Sequence, residues 1–151
     1  MKAMRQYLLM ILSVLLLFSG CANGQLIAEK NSKVLIVYLT RTKNTLAVAQ
    51  MIQKHTDGKL VGLELEKPYP ENYGEHVAQV ARENSSNFLP PLKTKIDSID
   101  IFDTIFIGFP TWGMKIPPPI KTFLTQHNLS GKTVVPFNTN AGYGVATGLK
   151  S

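Results

Sequence analysis

Residues 40 to 45, TRTKNT, follow an apolar run directly and pack three hydroxyls, one amide and two cations into six positions. Thr40, Thr42 and Thr45 bring the hydroxyls, Asn44 the amide, and Arg41 and Lys43 the positive charge. A helix starting here adds free N–H groups and the positive end of its dipole, which suits the segment to gripping a phosphate. The competing reading is a helix cap, in which Thr42 or Asn44 bonds the first turn. Capping needs a single such residue, and the segment supplies several. A Walker A loop is excluded, because its Gly-x4-Gly-Lys-Ser/Thr spacing is absent. Two later segments also concentrate unusual groups. PTWGMKIPPP, from Pro110, carries Trp112, the sole tryptophan, whose flat π surface is suited either to stacking on an aromatic ligand or to a place in the core or rim. NTNAGYG, from Asn138, sets Gly142 and Gly144 around Tyr143, where backbone N–H groups can approach a planar ring or simply turn the chain.

The elements that must position these segments follow from periodicity. KVLIVYL, from Lys33, is a continuous apolar run of strand length, the pattern of a strand covered on both faces. From Asn44 to His55 the spacing turns helical, with Val48, Met51, Ile52 and His55 on one face; Asp57 and Gly58 end it. KLVGLEL then reads as a second strand, and a helix over about Glu71 to Asn84 buries Val77, Val80 and Ala81. DTIFIGF, residues 103 to 109, is the third and most apolar strand. Pro117, Pro118 and Pro119 seed the next helix from its first turn, with Ile120, Phe123 and Leu124 on the apolar side. KTVVPFN is the fourth strand, and Pro136 within it predicts a place near an edge or bend. Alternation of strand and helix predicts right-handed crossovers and a parallel sheet with helices on both faces. The segments leaving strands one, three and four would then share one rim, where such sheets bind ligands.

A chain of 151 residues with 44% hydrophobic residues buries one core and predicts one domain. Its net charge of +6 is scattered rather than gathered into blocks, so no nucleic-acid partner is expected. Residues 1–20 read as a signal peptide: Lys2 and Arg5 precede an apolar run from Tyr7 to Phe18, followed by small residues before Cys21. That run is too short to cross a hydrocarbon core of about 30 Å comfortably. Cys21 is the only cysteine, so no intrachain disulfide and no cysteine-based metal or redox pair is possible. LFSGC resembles the lipobox of bacterial lipoproteins, with Phe18 where leucine is usual. That resemblance implies lipidation of Cys21, export to the bacterial cell envelope and attachment to the membrane by the lipid. Residues 21–32 then form a tether, and residues 33–151 the domain.

Together TRTKNT, YPENY, GFPTW, GKTVVPF and TNAGYG, in this order, resemble the flavodoxin family from about Lys33 to Gly148. The resemblance implies an α/β flavodoxin-like three-layer sandwich around a parallel sheet, binding FMN without a covalent bond. Carried over by position, Thr40, Arg41, Thr42, Lys43, Asn44 and Thr45 would enclose the FMN phosphate. Pro110, Thr111, Trp112 and Gly113 would flank one face of the isoalloxazine, and Thr139, Asn140, Gly142, Tyr143 and Gly144 its polar edge or other face. Lys43 departs from the family's glycine, Gly113 from a common second aromatic, and Ala141 and Tyr143 from a run of small residues. A full domain of the family continues into another helix, a fifth strand and a terminal helix. The expected sheet is therefore of order 2-1-3-4 with the fifth strand absent, a C-terminally truncated domain with an open edge. The implied function is that of an electron-transfer protein or a small FMN-dependent oxidoreductase, acting with a redox partner protein or a quinone-like substrate. The alternative is a non-redox binding lipoprotein. No catalytic acid, base or nucleophile is required for flavin chemistry, and His55, His76 and His127 read as solvated helix residues.

Overall fold

A computed structural model of the chain describes residues 33–142. The leader, Cys21, the tether, Tyr143 and Gly144 lie outside the described residues. Strand β1 (Val34–Tyr38) pairs in parallel with β2 (Lys59–Gly62) on one side and β3 (Thr104–Pro110) on the other, and β3 pairs with β4 (Thr133–Thr139). The order β2-β1-β3-β4 is the one expected, and Pro136 lies on the outer strand of the described sheet. Leu35, Ile36 and Val37 are all fully buried, as a strand covered on both faces requires.

Helices α1 (Asn44–Thr56), α2 (Tyr73–Ser86) and α3 (Pro118–Gln126) make the outer layers. Leu35, Val37, Ile105, Ile107 and Phe109 form one apolar cluster with Ile120 and Phe123 of α3. Ile36 points to the opposite face by the two-residue period of a strand. There it lies with Val34 against Gly58, just beyond the end of α1.

The helix faces differ from those read in the sequence. On α1, Thr45 and Ala49 are buried, whereas Met51 is 58% exposed and His55 is exposed. Val48 and Ile52 are half-buried, so the inward stripe runs through Thr45, Val48, Ala49 and Ile52, and only Met51 and His55 of the expected face fall outside it. On α2 the inward stripe is His76, Val80 and Glu83, spaced by four and three residues on one face. Val77 and Ala81 are exposed instead, and His76, expected in solvent, is only 3% exposed. Asn72 caps α2, its side chain accepting from the N–H of Glu75 at 3.1 Å, so the helix begins at Tyr73 and not at Glu71. His127 is half-buried: its ring lies 4.6 Å from that of Phe123, with Nδ1 2.9 Å from the Phe123 carbonyl oxygen. His55 alone of the three keeps the exposed position expected of it.

β2 is shorter than the run KLVGLEL. Beyond Gly62 the chain pairs with another partner: Leu65 forms an antiparallel bridge with Leu92, and the N–H groups of Glu66 and Lys93 donate to the carbonyls of Pro91 and Glu64 at 3.1 and 2.8 Å. Across the sheet near its C-terminal rim, glycines and aromatics alternate in register as Gly62, Tyr38, Gly108 and Phe137. A Cβ on Gly62 would meet the Tyr38 hydroxyl at 2.9 Å, and one on Gly108 would meet Cζ of Phe137 at 2.0 Å. Each ring therefore lies over the bare backbone of its neighbour.

Candidate functional site

Parallel strands end on the same side, so β1, β3 and β4 deliver the three segments singled out above to one rim. The ends are tied together by short bonds. Leu39 N–H donates to the Gly108 carbonyl at 2.8 Å, and Thr111 N–H to the Thr139 carbonyl at 3.0 Å. The hydroxyls of Thr45 and Thr139 lie 2.8 Å apart and join the first turn of α1 to the tip of β4. Asn138 braces the third segment, donating to the Thr111 hydroxyl at 2.8 Å and to the Phe109 carbonyl at 3.2 Å. The Asn140 side chain accepts from the Gly142 N–H at 2.8 Å, making a tight turn in which Gly142 takes φ +91°.

A cavity of about 280 Å³ opens among these segments. The first contributes Thr40, Arg41, Thr42, Asn44 and Thr45, the second Pro110, Thr111 and Trp112, and the third Thr139, Asn140 and Ala141. Lys43, Gly113 and Gly142 belong to the same loops but do not line it. Tyr73 of α2 does line it, although its sequence neighbourhood was read only as a motif.

The start of α1 bears on the choice between a phosphate grip and a cap. No side chain caps the helix, and Ala47 N–H is bonded to the carbonyl of Lys43 at 2.9 Å. The N–H groups ahead of Ala47 are those that a helix leaves without an intrahelical partner. Thr40 Oγ1 is buried nearby with no hydrogen-bond partner among the described residues. Buried hydroxyls seldom stay unpaired, and an uncapped helix start beside one is the donor set an oxyanion takes. Lys43 holds φ +65° to start this turn. That left-handed conformation suits the glycine expected by resemblance and costs a side-chain-bearing residue about 1 kcal/mol or more.

The second segment is a tight turn. Trp112 and Lys115 exchange backbone bonds at 3.4 and 3.1 Å, while Gly113 and Met114 between them hold φ +57° and +60°. Both central residues have positive φ, as in a type I′ turn, which accounts for Gly113 where a second aromatic was the usual choice. Trp112 is braced from behind by two rings, His76, read in the sequence as solvated, and Tyr69, seen there only as part of YPENY. His76 lies 4.4 Å away at 87° and Tyr69 5.2 Å away at 83°, both edge-on. The Tyr69 hydroxyl donates to Glu83, whose other oxygen accepts from Gln79 at 2.8 Å. Burial, then the hydrogen bond and the charge of Glu83, hold the Tyr69 phenol well above its ordinary range. His76 is pushed the other way. Burial lowers its pKa from 6.5, Arg41 lowers it further, and Glu83 opposes both. Arg41 itself leans toward α2, donating to the Glu71 carbonyl at 2.7 Å with its guanidinium 5.5 Å from the Tyr73 ring centre. The two tyrosines were visible as YPENY. His76 and Glu83 carried no signal beyond sharing a helical stripe with Val80.

Comparison with known proteins agrees with this geometry. The flavodoxin family profile matches residues 33–151. Among solved structures, a chain designated a flavoprotein from Bacteroides uniformis is 30% identical, with a TM-score of 0.69, covering 76% of this chain and 76% of that one. Another so designated, from Bacteroides eggerthii, is 33% identical with a TM-score of 0.68, over 74% of this chain and 72% of that one. A flavoprotein from Lactobacillus acidophilus, crystallised in complex with FMN, is 27% identical with a TM-score of 0.66, over 74% of this chain and 76% of that one. No curated protein matches the chain. A profile match running from Lys33 onward, on a sheet with the strand order that the motifs implied, leaves one assignment: the chain belongs to the flavodoxin family.

Proposed function

We propose that this chain binds FMN at the rim of β1, β3 and β4 and works as an electron-transfer protein or small oxidoreductase. The observation that carries the reading is the uncapped start of α1 beside the Thr40 hydroxyl, which has no partner among the described residues, in one cavity with Trp112. The L. acidophilus neighbour, solved with FMN, supports the choice of cofactor.

In this reading the N–H groups opening α1 and the hydroxyls of Thr40, Thr42 and Thr45 hold the phosphate, with Asn44 beside them. Arg41 and Lys43 add cationic charge to the same loop. Trp112, fixed in angle by His76 and Tyr69, offers a rigid flat surface to the ring system, and Thr139 and Asn140, continuing through Gly142 to Tyr143 and Gly144, serve its polar edge. When bound, FMN supplies one- and two-electron redox chemistry. The protein's part is to orient the ring, exclude water from one face and shape the hydrogen bonds at its edge.

Purified chain reconstituted with FMN and desalted is expected to keep the visible absorption of bound flavin at one flavin per chain. Loss of all colour on desalting would argue for a non-redox binding role. Consumption of a reduced nicotinamide by the loaded protein separates oxidoreductase from carrier.

The proposal extends to the envelope. Cys21, following a signal-peptide pattern, would carry the lipid that holds the domain at a membrane surface. Expressed in a bacterium fed an alkyne fatty acid, the chain should take up label and sediment with membranes, and Cys21→Ser should do neither. Equal labelling of both forms would remove the anchor from the account.

A further inference from the structure

A second cavity, of about 330 Å³, lies on the α2 side of Trp112, between α2 and the 111–115 turn. Its apolar wall is Val77, Val80, Ala81 and the Trp112 ring. The exposure of Val77 and Ala81, which no core packing explains, is accounted for by this wall. Its charged groups are Arg41 and Lys115; no carboxylate lines it. Asn84 contributes a fixed donor: Lys121 Nζ holds its Oδ1 at 3.0 Å, and its Nδ2 lies on the side of Gly113. His76 also lines the cavity, almost fully buried, with neither ring nitrogen hydrogen-bonded among the described residues.

An apolar and aromatic wall selects a flat, apolar body. A lining of two cations, an oriented amide and an unpaired imidazole, with no acid to compete, selects an anionic or carbonyl-bearing rim. From this combination, and resting on the FMN reading above, we infer that the α2-side cavity binds a planar aromatic anion, such as a quinone bearing a sulfonate or carboxylate, as the small-molecule ligand of the protein. Arg41, Tyr73, Thr111 and Trp112 line both cavities, so the ligand would lie beside the cofactor rim without sharing the turn that opens α1.

The test uses the full chain and two separate titrations by equilibrium dialysis, one with FMN and one with anthraquinone-2-sulfonate, the latter in the presence of saturating FMN. The sulfonate is expected to bind at one site and neutral anthraquinone about tenfold or more weakly, the loss expected when charge-assisted hydrogen bonds go. Ala81→Trp, which fills the cavity from the exposed side of α2, and Lys115→Glu, which reverses a charge at its mouth, are each expected to weaken the sulfonate by about tenfold or more. FMN affinity of Ala81→Trp should stay within about twofold of the parent, a change under 0.5 kcal/mol. Undiminished sulfonate binding in both variants overturns the inference, and so does failure of the parent to bind the sulfonate while it binds FMN. An Ala81→Trp variant that loses FMN as strongly as the sulfonate overturns it too, by making the cavity the flavin's own. Should Ala81→Trp fail to fold, Lys115→Glu decides alone. Failure of the FMN titration itself strikes the underlying reading instead.

Discussion

At the scale of single residues, the site depends on groups left in states that a purely structural role does not explain. Lys43 accepts a left-handed backbone that a glycine would hold without strain, and Thr40 buries a hydroxyl with no hydrogen-bond partner among the described residues. His76 is the clearest case. Packed between Tyr69 and Trp112, it faces the charges of Arg41 and Glu83 and has no hydrogen-bond partner among the described residues. Its folded-state pKa lies below 6.5, so the unfolded chain binds its proton first as pH falls. The stability that neutral His76 contributes is therefore complete above about pH 6.5 and declines below it until the folded-state pKa is passed. Thermal midpoints measured between about pH 7.5 and 5.5 should fall more steeply for the parent than for His76→Phe, which has no proton to take up. Parallel slopes would show that the imidazole is not held neutral. The hydroxyl-rich loop was legible because its residue types are rare in combination. His76 was not, because one histidine on a helix reads as solvated until the neighbouring Tyr69 and Trp112, distant in sequence, are brought against it.

Among elements, strands were easier to read than helix faces. The runs at residues 34–38 and 105–109 are apolar because both sides of those strands are covered. Helix α1 was legible in part: Val48 and Ile52 of the expected face are half-buried, while Met51 and His55 are exposed and the fully buried positions are Thr45 and Ala49. Periodicity weighs apolar size and gives a threonine and an alanine no place in the stripe. β2 ended early for a related reason: Leu65 found Leu92, a partner far along the chain, instead of continuing beside β1. The row of Gly62, Tyr38, Gly108 and Phe137 has the same non-local character. Gly108→Ala would drive a methyl into the Phe137 ring, and overpacking of this kind costs about 1–3 kcal/mol. In urea unfolding, Gly108→Ala should lower stability by that amount, and most of the loss should vanish in a Phe137→Ala background. A loss of the same size in both backgrounds would show that strand propensity, not the ring, sets the demand for glycine.

Over the whole molecule, chain topology does what no local feature could. Parallel strands carry Thr40, Pro110 and Thr139 to one side of the sheet, and the cross-strand bonds between Leu39 and Gly108 and between Thr111 and Thr139 hold the rim in register. That three separate loops meet was legible as soon as strands and helices alternated, because right-handed crossovers allow few other arrangements. The brace behind Trp112 and the second cavity were not, since both depend on how α2 rotates against the rim. If the rim grips a phosphate and not merely a flat ring, FMN and riboflavin must bind it with different strength. Fluorescence titrations of both against the purified chain should give FMN an affinity higher by about a hundredfold, the effect of two or so charge-assisted hydrogen bonds. Equal affinities for the two flavins would show that the uncapped start of α1 and the Thr40 hydroxyl contribute nothing to binding, and that the rim is not a phosphate grip.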